Sequence, residues 1–232
     1  MTRSRERLPN NRVRVKICCI QSAEEAALAV RYGADALGLV SAMPSGPGPI
    51  PEARIAEIIS VVPPGISTFL LTSKTEFEDI LEQHVRTGAT TLQLCNRVTP
   101  EVRRAIHTVI PWVKVVQVVH VVDEHSVEEA LVVSETTDAI LLDSGQPNAD
   151  VPTLGGTGNV HDWNLSKRIV DNVDVPVYLA GGLNPGNVTE AIRTVQPFGV
   201  DICTGIRTDY HLDESKLGPY MAAIHSTRLE QA

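Results

Sequence analysis

The chain has 232 residues, a formal net charge of −8, and hydrophobic and aromatic shares of 43% and 4%. That length fits one large domain whose core must be built from Val, Ile, Leu and Ala rather than from rings. The acidic balance argues against nucleic acid or an anionic membrane as the main partner, but not against an anionic small molecule held by backbone amides and a local cation.

Residues 1–12 are polar and rich in Arg, with no apolar stretch behind them. They predict a disordered polar tail rather than a signal peptide, followed by a single barrel domain over 13–232. No apolar run reaches membrane-spanning length. Cys18, Cys19, Cys95 and Cys203 show no C-x-x-C spacing, so free thiols in a reducing cytoplasm are expected.

In chain order, Val13 to Cys18 reads as the first strand and Ala23 to Val30 as a helix ended by Gly33. Ala34 to Val40 is a second strand. It runs into a Pro- and Gly-loaded loop, Ser41 to Pro51, which is either a plain connector or a place where substrate is met. A helix over Arg54 to Val61, a strand over Ser67 to Thr72 and a helix over Thr75 to Arg86 follow. Thr90 to Cys95 is the fourth strand, and Pro100 opens the next helix. Val113 to Val122 and Ala139 to Asp143 are strands flanking a helix over Val127 to Ser134. A polar, Gly-rich loop from Ser144 to Gly158 then leads to a helix around Asp162 to Val170.

The stretch from Val177 to Val188 is an apolar strand that stops at Gly181-Gly182 and restarts as a helix, with Asn184 as the expected N-cap and Pro185 in the first helical position. Such a junction suits a phosphate, because glycine permits close backbone approach and a helix start offers free N–H groups. It is also an ordinary tight turn in many α/β proteins. Asp201 to Gly205 reads as the eighth strand and ends in small residues.

Successive strand ends lie about 22 to 38 residues apart, the size of one βα unit, which predicts a closed parallel (β/α)8 barrel in one domain. A doubly wound open sheet would use the same parts with fewer strands. In a barrel the site lies at the C-terminal strand ends, and the loops after the seventh and eighth strands often share a phosphate. The strand-end residues are Cys18, Cys95, Asp143, Gly181-Gly182 and Thr204-Gly205. Alternation puts Lys16 on the face of Cys18, and Ala139 and Leu141 on that of Asp143. It turns Cys19 away from the mouth if the strand persists that far.

Lys16-Ile17-Cys18, Leu92-Gln93-Leu94, Leu142-Asp143, Gly155-Gly156-Thr157-Gly158 before Asp162-Trp163, Leu179 to Leu183, and Thr204-Gly205 resemble the phosphoribosylanthranilate isomerase family of tryptophan biosynthesis in order and spacing. The resemblance covers nearly the whole chain after the tail. It implies an Amadori rearrangement of an aminoaldose to an aminoketose, with Cys18 as general base and Asp143 as general acid. It implies no cofactor and a small phosphorylated substrate held by Gly181, Gly182, Thr204 and Gly205. Lys16 and Gly156 are further expected substrate contacts.

The chain departs from the family where the aromatic amine would be gripped. The family has Gly where this chain has Cys19, His-Gly where it has Cys95-Asn96, and Val-Glu where it has Ile206-Arg207. It also carries an arginine in the loop after the second strand, and this chain has none before Arg54. Arg97 is the first candidate to replace that arginine, and Arg207 the second, unless Arg207 serves the phosphate. The alternatives are a phosphosugar isomerase or epimerase with another substrate, and a non-catalytic phospho-ligand barrel. The histidines are scattered without metal-ligand spacing, though His120 falls near a strand end. A cytoplasmic monomer or homodimer with no nucleic-acid or membrane partner completes the expectation.

Overall fold

The computed structural model describes residues 12–145 and 160–227. Eight strands close into one all-parallel barrel in sequence order: β1 (Arg14–Ile17), β2 (Ala36–Val40), β3 (Ser67–Thr72), β4 (Thr91–Leu94), β5 (Lys114–His120), β6 (Ala139–Asp143), β7 (Val177–Leu179) and β8 (Gly199–Ile202). Closure comes from β8 pairing with β1, with Lys16 opposite Asp201 and Ile17 opposite Ile202. Seven helices connect the strands: α1 (Ala23–Arg31), α2 (Glu52–Val61), α3 (Phe77–Thr87), α4 (Pro100–Val109), α5 (His125–Ser134), α6 (Trp163–Asn172) and α7 (Val188–Val195). After β8 come a short 3-10 turn (Thr204–Ile206), a small hairpin of β9 (Arg207–Thr208) and β10 (His211–Leu212), and α8 (Glu214–Ser226).

The two-residue period of each strand divides the core in two. Leu37, Leu39, Leu70, Leu92, Val115, Ile140, Leu142, Leu179 and Val200 face outward and are buried under the helices. Phe69, Leu71, Val116, Val118, Ala139, Leu141, Tyr178 and Ala180 face inward and fill the barrel. With so few rings available, the lower interior is closed by an edge-to-face set in which Tyr178 meets Phe69 at 5.9 Å and Phe198 at 5.5 Å. Side-chain caps fix several helix starts: Ser22 accepts the N–H of Glu25, Thr99 that of Val102, and Asp162 that of Asn164.

The expected elements are all present among the described residues, with boundaries shifted by at most three residues. The largest shift lies after β7. Asn184 does not cap a helix at Pro185, because α7 begins at Val188. Instead Asn184 and Asn187 lock a turn together. The Asn187 side chain accepts the N–H of Asn184 at 2.8 Å, the Asn184 side chain accepts the N–H of Gly186 at 2.8 Å, and the Asn184 carbonyl accepts from the N–H groups of Asn187 and Val188. Local Asx bonding outcompetes the first helical turn there. The eighth strand also ends earlier than expected, at Ile202, so Thr204 and Gly205 belong to the 3-10 turn.

Residues 1–11 and most of the Ser144-to-Gly158 loop, including Gly156, lie outside the described residues. Arg12, which the sequence assigns to the tail, pairs with Asp35.

Candidate active site

Cys18 and Asp143 open onto the same cavity at the C-terminal mouth of the barrel, together with Gln93, Cys95, Gly181, Gly182, Asp201 and Thr204. Cys18 follows β1 directly and is 5% exposed; Asp143 ends β6 and is 8% exposed. Parity of the strands places both side chains inward, as the alternation requires. The Asp143 carboxylate accepts the N–H of Ser144 at 2.7 Å, which fixes its orientation at the rim.

Their ionisations are displaced in opposite directions. Burial raises Asp143 from its ordinary 3.8 to about 6, helped by the nearby Asp201 and opposed by the Ser144 N–H and by Lys16. Cys18 moves below its ordinary value of 9.0, first through the adjoining Cys19 side chain, then because Lys16 lies nearby, against the opposing effect of burial. Cys19 moves up in compensation. Cys95 is pushed by burial to about 12 and stays a thiol.

Beneath these two groups lies an ion pair that the strand-end reading missed. Lys16 Nζ stands 2.9 Å from Asp201 Oδ2, with the lysine side chain fully buried. Burial alone would lower the lysine pKa, but Asp201, Cys18 and Cys19 together raise it above its ordinary value, so it remains an ammonium. Gly38 on β2 makes room for this arrangement. A Cβ there would lie 2.8 Å from Cys18 Sγ and 3.0 Å from Lys16 Nζ. Lys16 was expected to touch substrate; it does not line the cavity and lies buried against Asp201. The signal for Asp201 was its parity with Lys16 across the closing strand pair.

Cys19 is a correction. The strand does not persist to it, since β1 ends at Ile17 and Cys19 adopts a left-handed conformation with φ of 62°. Its side chain therefore turns into the mouth, lining the cavity beside Cys18 and packing under Gly48 of the loop after β2. Met43, Ser45, Gly46 and Pro47 of that loop form one wall of the cavity, so the Pro- and Gly-rich stretch is more than a connector.

The opposite wall is made by Ala180 to Leu183 and Ile202 to Thr204. The two loops are in direct contact: a Cβ on Gly205 would fall 2.2 Å from the carbonyl oxygen of Leu183. Gly181 and Gly182 both have positive φ, 82° and 64°.

Neither arginine proposed for the aromatic end is there. Arg97 is 68% exposed at its side chain and forms a two-pronged pair with Glu129 of α5, at 2.8 Å for each prong. Arg207 is only 7% exposed and turns behind the Cys18–Cys19 turn, bonding to both of its carbonyls. Among the described residues the lining of the mouth contains no Arg or Lys. His120 sits opposite Asp143 in the β5–β6 register, buried and held neutral by that burial. Among the described residues no three His, Cys, Asp or Glu side chains gather as a metal site, and no helix is long and apolar enough to cross a membrane.

A family model described as N-(5'-phosphoribosyl)anthranilate (PRA) isomerase matches residues 15–221. The N-(5'-phosphoribosyl)anthranilate isomerase of Methanocella arvoryzae is 32% identical over 204 residues, 88% of this chain and 93% of that protein. The solved phosphoribosyl anthranilate isomerase of Thermotoga maritima superposes with a TM-score of 0.80 at 31% identity, covering 92% of this chain and 98% of that one. A further isomerase structure, holding reduced 1-(o-carboxyphenylamino)-1-deoxyribulose 5-phosphate, superposes with a TM-score of 0.77 at 29% identity, over 92% and 98% of the two chains.

Proposed function

The chain belongs to the N-(5'-phosphoribosyl)anthranilate isomerase family, enzymes of the Amadori rearrangement, and from that premise we propose how its own residues carry the reaction. Asp143, in its protonated form, gives a proton to the furanose ring oxygen of the phosphoribosylamine. The C1–O bond breaks and a Schiff base forms between C1 and the amine nitrogen. The Cys18 thiolate then removes the proton from C2, and the electron pair moves through C1 to nitrogen to give an enolamine. Protonation at C1 and loss of the enol proton leave the aminoketose.

The observation that carries this reading is the opposite displacement of two groups facing one cavity: a thiol moved down, a carboxyl moved up to about 6. A base must be ionised and an acid protonated at the same pH, and separated environments accomplish both. With a pKa near 6, about one Asp143 in ten carries a proton at pH 7, enough for a general acid in a fast equilibrium.

The substrate phosphate is assigned to the wall made by Gly181, Gly182 and Thr204, with Gly205 packed behind it against the Leu183 carbonyl. Contact between the loops supports this, as does the left-handed backbone of both glycines. The N–H groups of Asn184, Gly186, Asn187 and Val188 are used within the turn, so the phosphate falls to the glycine pair and Thr204 rather than to the start of α7.

A second reading, the same rearrangement on a phosphoribosylamine without an aryl carboxylate, is favoured by one observation: no cationic side chain lines the mouth among the described residues. Both are tested by adding the chain to fluorescent phosphoribosylanthranilate. Decay in proportion to protein concentration supports the anthranilate reading. Absence of decay, with turnover of a carboxylate-free analogue, supports the second.

A further inference from the structure

The turn that carries Cys18 is gripped from behind by a buried cation. Arg207 Nη2 donates to the carbonyl of Cys18 at 3.0 Å and to that of Cys19 at 2.6 Å. Its Nη1 donates to both carboxylate oxygens of Glu25 at 3.2 Å and to the carbonyl of Tyr210 at 2.9 Å. Glu25 is itself fixed by the N–H groups of Gln21, at 3.1 Å, and Leu212, at 2.9 Å. The backbone of Arg207 is pinned by Lys216 Nζ on its carbonyl at 2.7 Å. One guanidinium thus ties α1 and the β9–β10 hairpin to the end of β1.

We propose that Arg207 is a positioning residue: by clamping two consecutive carbonyls it holds Cys19 in its left-handed conformation and so fixes the backbone that carries Cys18, keeping the inward-facing sulfur at one position in the mouth. The proposal rests on the reading of Cys18 as the base. A cysteine with φ of 62° occupies a sparsely populated region that only surrounding contacts maintain. Both clamped carbonyls belong to the peptide units on either side of the Cys19 Cα, so a return of Cys19 to negative φ would rotate them away from the guanidinium. The fork of a guanidinium can address both carbonyls and a carboxylate at once, which the single ammonium of lysine cannot. Arg207 is not among the residues lining the cavity, so it acts through the cysteines and not on the substrate.

The test combines Arg207→Lys with Cys19→Gly, since glycine adopts the left-handed conformation without strain. kcat and KM for phosphoribosylanthranilate are measured for wild type, each single variant and the double variant, below the melting temperature of all four. Arg207→Lys is expected to lower kcat by about 10- to 100-fold, the scale of a small displacement of a reacting group, with KM within about threefold. In the Cys19→Gly background the same change should cost less than about threefold, because the turn no longer needs holding. The proposal is overturned if kcat survives Arg207→Lys, or if the loss is the same in both backgrounds, as a purely structural role would give. Should Arg207→Lys fail to fold, Glu25→Gln is put through the same comparison, with a smaller kcat loss expected in wild type and none with Cys19→Gly; equal losses overturn the proposal. Cys18→Ala is measured alongside. If it keeps turnover, the base assignment has failed whatever Arg207 does. If it is inactive while Arg207→Lys is not, only the clamp has failed.

Discussion

Lys16 and Asp201 face each other across the strand pair that closes the barrel, 2.9 Å apart and directly below Cys18. The lysine is fully buried and the carboxylate only slightly exposed at the cavity, so each depends on the other, and removing one leaves an uncompensated buried charge. Lys16→Met is expected to cost about 3–5 kcal/mol in denaturant unfolding. The double variant Lys16→Met/Asp201→Asn should recover part of that, because no carboxylate is then stranded. A double variant as unstable as the sum of the two singles would show the pair to be unimportant.

Asp143 gives a pH signature in stability. Its pKa is about 6 in the fold against an ordinary 3.8, so the folded state binds the proton more tightly than the unfolded chain does. Its contribution is therefore most favourable below about pH 4, declines between about 4 and 6, and stays lost above that. Asp143→Asn has no such decline and keeps the acceptor for the Ser144 N–H. The variant should be more stable than wild type by up to about 3 kcal/mol at pH 7–8, and equal to it near pH 4. Melting curves at both pH values check this; a constant difference would contradict it.

The contact between the two phosphate-side loops depends on Gly205, whose added Cβ would lie 2.2 Å from the Leu183 carbonyl oxygen. Gly205→Ala must push the loops apart, and KM should rise by about tenfold or more with a smaller change in kcat. Gly65 is the control. Its φ of 94° makes alanine strained, but nothing lies within 4 Å of an added Cβ. Gly65→Ala should cost about 1–2 kcal/mol of stability and leave KM unchanged. Steady-state kinetics separate the two outcomes.

Arg97 is paired with Glu129 and does not line the cavity. Arg97→Ala should leave KM for phosphoribosylanthranilate within about twofold, as expected for an exposed ion pair. Comparison with an analogue lacking the ring carboxylate extends the test. A buried carboxylate–arginine contact would be worth about 2–5 kcal/mol, and a mouth lined, among the described residues, without Arg or Lys should discriminate by far less.

The barrel was legible because strand-sized apolar runs and helix signals recur at the spacing of one βα unit, and because strand parity survives folding unchanged. Parity put Cys18, Asp143, Ala139 and Leu141 inside, where they are. It failed at Cys19, where the strand had ended and a left-handed residue reversed the direction of the side chain. Helix-start chemistry failed at Asn184, because Asn184 and Asn187, three residues apart, bond within one turn and leave Asn187 at the start of α7. The arginines were misjudged for a different reason: the reach of a long side chain cannot be read from its distance along the chain to a strand end. Two positions that depart from the family's usual residues, Cys19 and Arg207, turn out to touch, a relation visible only in three dimensions.

In the proposed mechanism Cys18 and Asp143 divide base and acid between them. The most direct measurement is single-turnover conversion of phosphoribosylanthranilate by Cys18→Ala and Asp143→Asn, alongside the affinity of each for the reduced deoxyribulose phosphate analogue. Turnover is expected to fall by about 10²–10⁴-fold or more in each variant, with analogue affinity within a few-fold of wild type. Turnover near the wild-type rate in either variant would contradict that mechanism.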